Sequence, residues 1–202
     1  MSYLILGKGS GFASLLSSSF EAEALPLGSS SSFEEAYASF KSAHPKADHY
    51  PYAFRAKGYE KSSDDGEPGG SAGKAMLIML QERGIDSCLL VVARYFGGTK
   101  LGVGRLKRCF LEASKKALDD ASYGEEKEYL CLNLKLSYSR YEEVKRLAKK
   151  LGFALKDELF LMEVEAKLLV DGTIPFDASS LLLEEKEILS QEKVIEVVEA
   201  RS

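Results

Sequence analysis

Residues 64–74 read DDGEPGGSAGK, a stretch in which the residue types for three chemistries overlap. Gly69, Ser71 and Gly73 fit the G-x-S-x-G pattern of a serine hydrolase, whose serine hydroxyl is the nucleophile. Gly73 followed by Lys74 matches the end of a phosphate-binding loop, where backbone N–H groups and a lysine cradle phosphates. Asp64, Asp65 and Glu67 place three carboxylates within four residues, hard oxygen ligands for Mg²⁺ or Ca²⁺.

Each reading meets an obstacle in its surroundings. A nucleophile elbow needs a buried strand directly before the serine, and Lys61–Pro68 is polar and turn-forming. Both histidines, His44 and His49, lie upstream of Ser71, against the α/β-hydrolase order, although the histidine-first order of other triads stays open. Aligned as a phosphate-binding loop, the segment has Pro68 at the first glycine and Ala75 at the Mg²⁺-binding hydroxyl. Gly102-x-Gly104 likewise has Lys107 where a dinucleotide fingerprint needs its third glycine. The carboxylates lack both EF-hand spacing and a second ligand cluster, and Asp beside Gly shapes turns through its own backbone. The expectation is therefore no metal and no cofactor. What survives is Gly69, Gly70 and Gly73 leading into a helix N-terminus, with Ser71 as its N-cap and Lys74 beside it, an arrangement that attracts anions.

The elements that must position this loop follow from periodicity. Tyr3–Leu6 is a short apolar run, and the Ser/Gly-rich stretch after it has no clear assignment. Phe20–Leu27 reads as a strand in which Pro26 belongs at an edge or an end. Ser32 with Glu35 forms a capping box, and Phe33, Ala36, Tyr37 and Phe40 give one buried helix face that ends by Pro45. Tyr50–Ala56 is a strand, Lys74–Glu82 a helix stopped at Gly84, and residues 88–93 a continuously apolar strand covered on both faces. A helix from about Arg105 to Ala121 closes this half.

The second half changes character. Leu130, Leu132, Leu134 and Leu136 alternate with polar or small residues, so this strand covers a core with one face. Tyr141, Val144, Leu147, Ala148 and Leu151 form a helical stripe closed by Gly152. Strand-like runs at 153–160 and 163–170, a helix from about Pro175 to Leu189 and a strand over Lys193–Val198 complete a βαββαβ order, that of a ferredoxin-like unit. The polar link Ser122–Lys127 marks the boundary, giving domains of residues 1–122 and 128–202 in an α+β chain.

Charge narrows the function classes. The chain has a net charge of −4, which gives no general attraction for nucleic acid. Residues 1–122 hold 15 basic and 14 acidic side chains, whereas residues 123–202 hold 12 and 17. Yet from Ser87 to Leu111 there is no acid, and Arg94, Lys100, Arg105, Lys107 and Arg108 form a basic patch, in part a helix's solvated face. Three widely spaced cysteines suit a reducing cytoplasm, and neither a secretory signal nor a membrane span is expected.

Residues 64–74, followed by Val91-Val-Ala-Arg-Tyr-Phe-Gly-Gly-Thr-Lys-Leu-Gly-Val-Gly104, closely resemble the YigZ/Impact family. Its pattern runs roughly D-D-G-E-P-x-G-[TS]-A-G-K-P, then V-x-x-[TV]-R-Y-[FY]-G-G-[IT]-x-L-G-x-G-G-L. The resemblance spans Asp64 to about Arg108, is fair around His44–His49, and beyond residue 122 rests on element order. It carries Asp64, Asp65, Gly66, Glu67, Pro68, Gly69 or Gly70, Ser71, Ala72, Gly73 and Lys74 into the family's signature loop. Arg94, Tyr95, Phe96, Gly97, Gly98, Leu101, Gly102 and Gly104 fall into its second motif. This chain departs from the pattern at Arg105, where a second adjacent glycine is usual, and at Ala75, where proline is usual. Pro51 stands where a cysteine is frequent after His49, and Ser17–Ser19 stand where basic residues are expected.

The resemblance implies an N-terminal α/β sandwich like domain 2 of ribosomal protein S5 and a ferredoxin-like C-terminal domain. Together they are similar to the last two domains of the ribosomal translocase elongation factor. Eukaryotic relatives act in translational control, so the implied partners are the ribosome, RNA or a translation-associated protein, with no membrane. In that reading Arg94, Lys100, Arg105 and Arg108 neutralise phosphates and Tyr95 and Phe96 stack on unpaired bases, while Gly97 and Gly98 let the backbone approach closely. Core packing at the end of a buried strand is the competing role for Tyr95 or Phe96. Two alternatives stand beside this one. The first is an enzyme acting on a phosphorylated or acyl substrate at the Asp64–Lys74 loop. The second is an interaction module whose acidic second domain docks a protein.

Overall fold

The computed structural model describes residues 3–27, 32–56, 58–173, 176–181 and 183–200. The chain is a mixed α+β protein in two compact units, residues 1–125 with 199–202, and residues 126–198. In chain order the first unit contains β1 (Tyr3–Gly7), β2 (Gly9–Leu15), β3 (Ser18–Pro26), α1 (Phe33–Ala43), β4 (Tyr52–Ala56), β5 (Tyr59–Ser63), α2 (Gly73–Glu82), β6 (Ile85–Asp86), β7 (Cys88–Tyr95) and α3 (Val103–Asp120). β8 (Ser122–Leu136) begins in this unit and runs into the second.

β2, β3, β7, β4 and β5 form an antiparallel sheet in that order. The continuous apolar run of β7 follows from its central place. Cys88, Leu90 and Val92 join Phe20, Ala22 and Ala24 under α2 and α3, whereas Leu89, Val91 and Ala93 meet Phe40 and Tyr52 under α1. Pro26 sits at the strand end, opposite Cys88. The capping box of α1 is present: Glu35 N–H donates to Ser32 Oγ, and Ser32 N–H donates to Glu35 Oε2.

β2 is a strand that periodicity does not reveal, because two of its positions must be glycine. A Cβ on Gly9 would lie 2.1 Å from the Ala117 carbonyl oxygen, and one on Gly11 2.1 Å from that of Ala113. The α3 backbone therefore packs directly on this strand. The polar segment Ser122–Lys127, expected as a link, is extended strand: residues 122–125 pair with β1.

The second unit adds α4 (Tyr138–Leu151), β9 (Ala154–Phe160), β10 (Val164–Asp171) and β11 (Ile188–Glu199), with strand order β11-β8-β10-β9. Leu132, Leu134, Leu136, Leu168 and Val170 form its core with Tyr141, Val144 and Ala148 of α4. The helix expected over 175–189 does not form. Among the described residues there, two 3₁₀ turns, Ala178–Leu181 and Glu185–Glu187, precede a strand that starts at Ile188, earlier than expected. Tertiary contacts override helix propensity here. Leu181 is fully buried in the core, and Arg140 of α4 holds Glu187 through two hydrogen bonds of 2.9 and 3.1 Å. Pro175 itself lies outside the described residues. No described helix is long and apolar enough to cross a membrane.

Two stability outcomes follow. Gly11→Ala is expected to lower the unfolding free energy by about 1–3 kcal/mol by overpacking, read as a lower urea midpoint. The hydrogen bonds from Arg140 hold the Glu187 carboxyl below its usual value of 4.5. Its stabilisation is therefore present above that value and lost as pH falls through the depressed one. Glu187→Gln should weaken the second unit at neutral pH and flatten its loss of stability on the acid side, measured by urea titration across pH.

Candidate functional site

The signature loop is built around three carboxylates, each engaged by the protein itself. Asp64 Oδ2 accepts the Gly70 N–H at 2.8 Å, and its Oδ1 accepts those of Ala72 and Gly73 at 2.9 Å each. The helix start expected to offer free N–H groups to an anion is thus filled by a side chain of the same loop. Ser71 is not the N-cap: Ala72 holds that position, and Ser71 is fully buried, its hydroxyl without a hydrogen-bond partner among the described residues. Lys74 is exposed. Asp65 adopts φ 46° and accepts the Tyr50 N–H at 2.6 Å, while Gly66, at φ 86°, lies against the His49 ring.

Glu67 joins the two motifs. Its side chain is 1% exposed and pairs at 2.5 Å with the guanidinium of Arg94, itself 9% exposed. Arg94 sits within the end of β7, its N–H donating to the His49 carbonyl and its carbonyl accepting from Asp48. Its guanidinium lies 5.8 Å from the Phe20 ring and 5.5 Å from the Phe96 ring. Arg94 is therefore an interior ion-pair residue, placed away from any surface phosphate.

Beyond Arg94 the chain turns outward. Tyr95 is half-buried, its hydroxyl 3.0 Å from His44 Nδ1, and burial pushes the phenol above its usual range. Tyr95 thus packs against the α1 side of the sheet, whereas Phe96 is 47% exposed. The Phe96 N–H donates to Asp48 Oδ2 at 2.7 Å. Gly97 touches the β2–β3 turn so closely that a Cβ would meet the Ser17 carbonyl carbon at 2.1 Å, and its N–H donates to Ser18 Oγ. Gly98, at φ 83°, faces open space.

The basic patch comes next. Lys100, Arg105, Lys107 and Arg108 are all exposed, and none forms an ion pair or side-chain hydrogen bond with a described residue. α3 starts at Gly102 with no capping side chain and no acid in its first turn. A groove of about 390 Å³ runs between the β2–β3 turn and α3, lined in part by Leu16, Arg105, Arg108 and Cys109. A larger cavity, about 540 Å³, lies at Tyr3, Arg83, Leu118 and Tyr123, and includes neither motif. Asp48 and Leu16 carried no local signal in the sequence, and nothing local tied Ser18 or Phe20 to the second motif. They enter the site through pairings between segments far apart along the chain, such as Ser19 with Tyr95 and His49 with Arg94.

The Impact N-terminal domain family model matches residues 16–118. The "IMPACT family member in pol 5′region" of Thermus thermophilus is 40% identical over 103 residues, 50% of this chain and 55% of that one. The IMPACT family member YvyE of Bacillus subtilis is 32% identical over 112 residues, 55% of this chain and 52% of that one. The matches span about half the length of these relatives. The crystal structure of a hypothetical protein is similar over 86% of this chain and 87% of its own, at a TM-score of 0.55 and 24% identity, which shows the fold.

Removing one partner of the Glu67–Arg94 pair leaves an uncompensated buried charge. Glu67→Ala is expected to cost about 3–5 kcal/mol, whereas Glu67→Leu combined with Arg94→Met should recover most of it. Urea unfolding of the single and double variants measures both.

Proposed function

This chain belongs to the Impact family, and from that premise we propose that it is a translation-associated regulatory protein acting by binding rather than by catalysis. It binds the ribosome, RNA or a ribosome-associated protein through the basic, glycine-rich face of its first unit, and works in the cytoplasm. The first unit is read as the S5 domain 2-like part, which its sheet flanked by helices on both faces supports. The second is read as ferredoxin-like, which the strand order β11-β8-β10-β9 supports.

One observation carries the reading. Lys100, Arg105, Lys107 and Arg108 are exposed and unpaired among the described residues. Of the other exposed cations in this unit, Lys8, Lys115 and Lys116 have carboxylate partners, whereas Lys46 and Lys74 have none among the described residues but stand singly rather than in a cluster. Cations without internal partners are available to phosphates, and their binding releases counterions. The enzymatic alternative at residues 64–74 draws little support from a loop in which Asp64, Asp65 and Glu67 each hold a structural partner and Ser71 is buried.

Co-sedimentation with ribosomes at low and moderate salt tests the proposal. The wild type should pellet with ribosomes in a salt-sensitive way, and a Lys100→Ala/Arg105→Ala/Arg108→Ala variant should stay in the supernatant. A folded wild type that fails to pellet at either salt would overturn ribosome binding.

A further inference from the structure

Among the described residues, three α-helices have their positive ends satisfied from within the chain, and α3 does not. α1 and α4 are capped by Ser32 and Ser137, and α2 by the Asp64 carboxylate from its own loop. α3, 18 residues long, begins at a glycine with φ 73°, has no cap, and carries Arg105, Lys107 and Arg108 in its first two turns. Cations at a helix N-terminus oppose the helix dipole and destabilise the folded chain. A local rule broken without internal compensation marks a functional position.

The helix start alone would not define a site, but it opens beside a groove of matching chemistry. Arg105 and Arg108, one turn apart, line the groove between α3 and the β2–β3 turn. Its single carboxylate, Glu112, is already bound to Lys116 at 2.9 Å, so both guanidiniums face the groove's contents uncompensated. Burial and Glu112 push the Cys109 thiol above its usual range, while Arg108 and the interior Arg94 act against that shift.

The surroundings choose among anions. The Gly97 backbone rests on Ser17, next to Leu16 of the groove, which brings the chain at Phe96, whose ring is exposed, to the β2–β3 turn that borders it. The Arg94 guanidinium lies 5.5 Å from that ring, which fixes it in place while nearly half of its surface stays open to solvent. An aromatic platform beside a cationic groove suits an unpaired base with its phosphate, since a base within a duplex is already stacked on both faces. An acidic peptide would satisfy the arginines and leave the ring unused.

We propose that the groove between the β2–β3 turn and α3 holds a phosphate of single-stranded RNA on Arg105 and Arg108, with an adjacent base on Phe96. This rests on the binding role proposed above and names the site and ligand class within it. The phosphate sits where it also offsets the positive end of α3. Ligand binding and the helix's electrostatic conflict are therefore one feature, and binding-defective variants at Arg105 should be more stable than the wild type when no ligand is present.

The test is fluorescence anisotropy with a labelled single-stranded oligouridylate, run between about 50 and 200 mM salt and beside the ribosome co-sedimentation. Arg105→Ala/Arg108→Ala should weaken binding by about tenfold or more and lower the salt slope by about 0.7, the value for one single-strand phosphate. Phe96→Ala should weaken it without changing the slope. Lys149→Ala/Lys150→Ala, which removes two exposed charges from the second unit, should bind as the wild type does. Arg105→Glu should abolish binding and raise the melting temperature, which excludes misfolding as the cause. Equal binding by the Arg105/Arg108 variant, equal affinity for duplex RNA, competition by polyglutamate as effective as by RNA, or a lower melting temperature for Arg105→Glu would each overturn the assignment. Ribosome pelleting without oligouridylate binding would overturn this site and leave the broader role standing. Loss of both would end both.

Discussion

The buried ion pair between Glu67 and Arg94 is the constraint from which the site's geometry follows. Two charges taken out of water cost several kcal/mol each, and only close, well-oriented pairing offsets that. Glu67 can reach Arg94 only if the signature loop folds down onto the end of β7. That demand accounts for the positive φ at Asp65 and Gly66 and for the approach of Gly66 to His49. It also places Arg94 between Phe20 and Phe96, so the same pair that fastens the loop steadies the exposed ring.

Asp64 and the α3 start illustrate two treatments of the same physical problem. Every helix begins with unsatisfied N–H groups and a positive partial charge. At α2 the loop supplies a carboxylate that accepts three N–H groups, which closes the place to any external anion. At α3 nothing is supplied, and cations make the local potential more positive. The loop that looks most like an active site is thus self-satisfied, and the less conspicuous helix start is the one left open. Chemistry-like residues and available chemistry sit in different parts of one unit.

The second unit treats its charges differently. Lys156 pairs with Glu196, Lys167 with Asp157, Lys135 with Glu163 and Lys193 with Glu128, so much of its charge is matched internally. Exposed pairs of this kind contribute little stability. Their consequence is to leave the unit without a strong cationic field, in contrast to the unpaired run of the first unit.

Local patterns in the amino-acid sequence determined a good deal. The two-faced burial of β7, the capping box at Ser32, the stripe of α4, the alternation in β8 and the acid-free basic stretch all depend on neighbours within a few residues, and each is legible in the chain. β2 was hidden because Gly9 and Gly11 are fixed by the α3 backbone, more than 100 residues away along the chain. The expected helix over 175–189 gave way because Arg140, Leu181 and the pairing of β11 decide that segment from outside it. At the site, residue types named the loop but could not say which groups were free. Asp64, Glu67 and Arg94 look like ligand-binding side chains in one dimension. Only the fold pairs them with N–H groups and with each other, because hydrogen bonding and charge pairing are settled by distance in space. The exposure of Phe96 and the unpaired state of Arg105 and Arg108 were decided the same way, by which partners the tertiary structure brought near and which it did not.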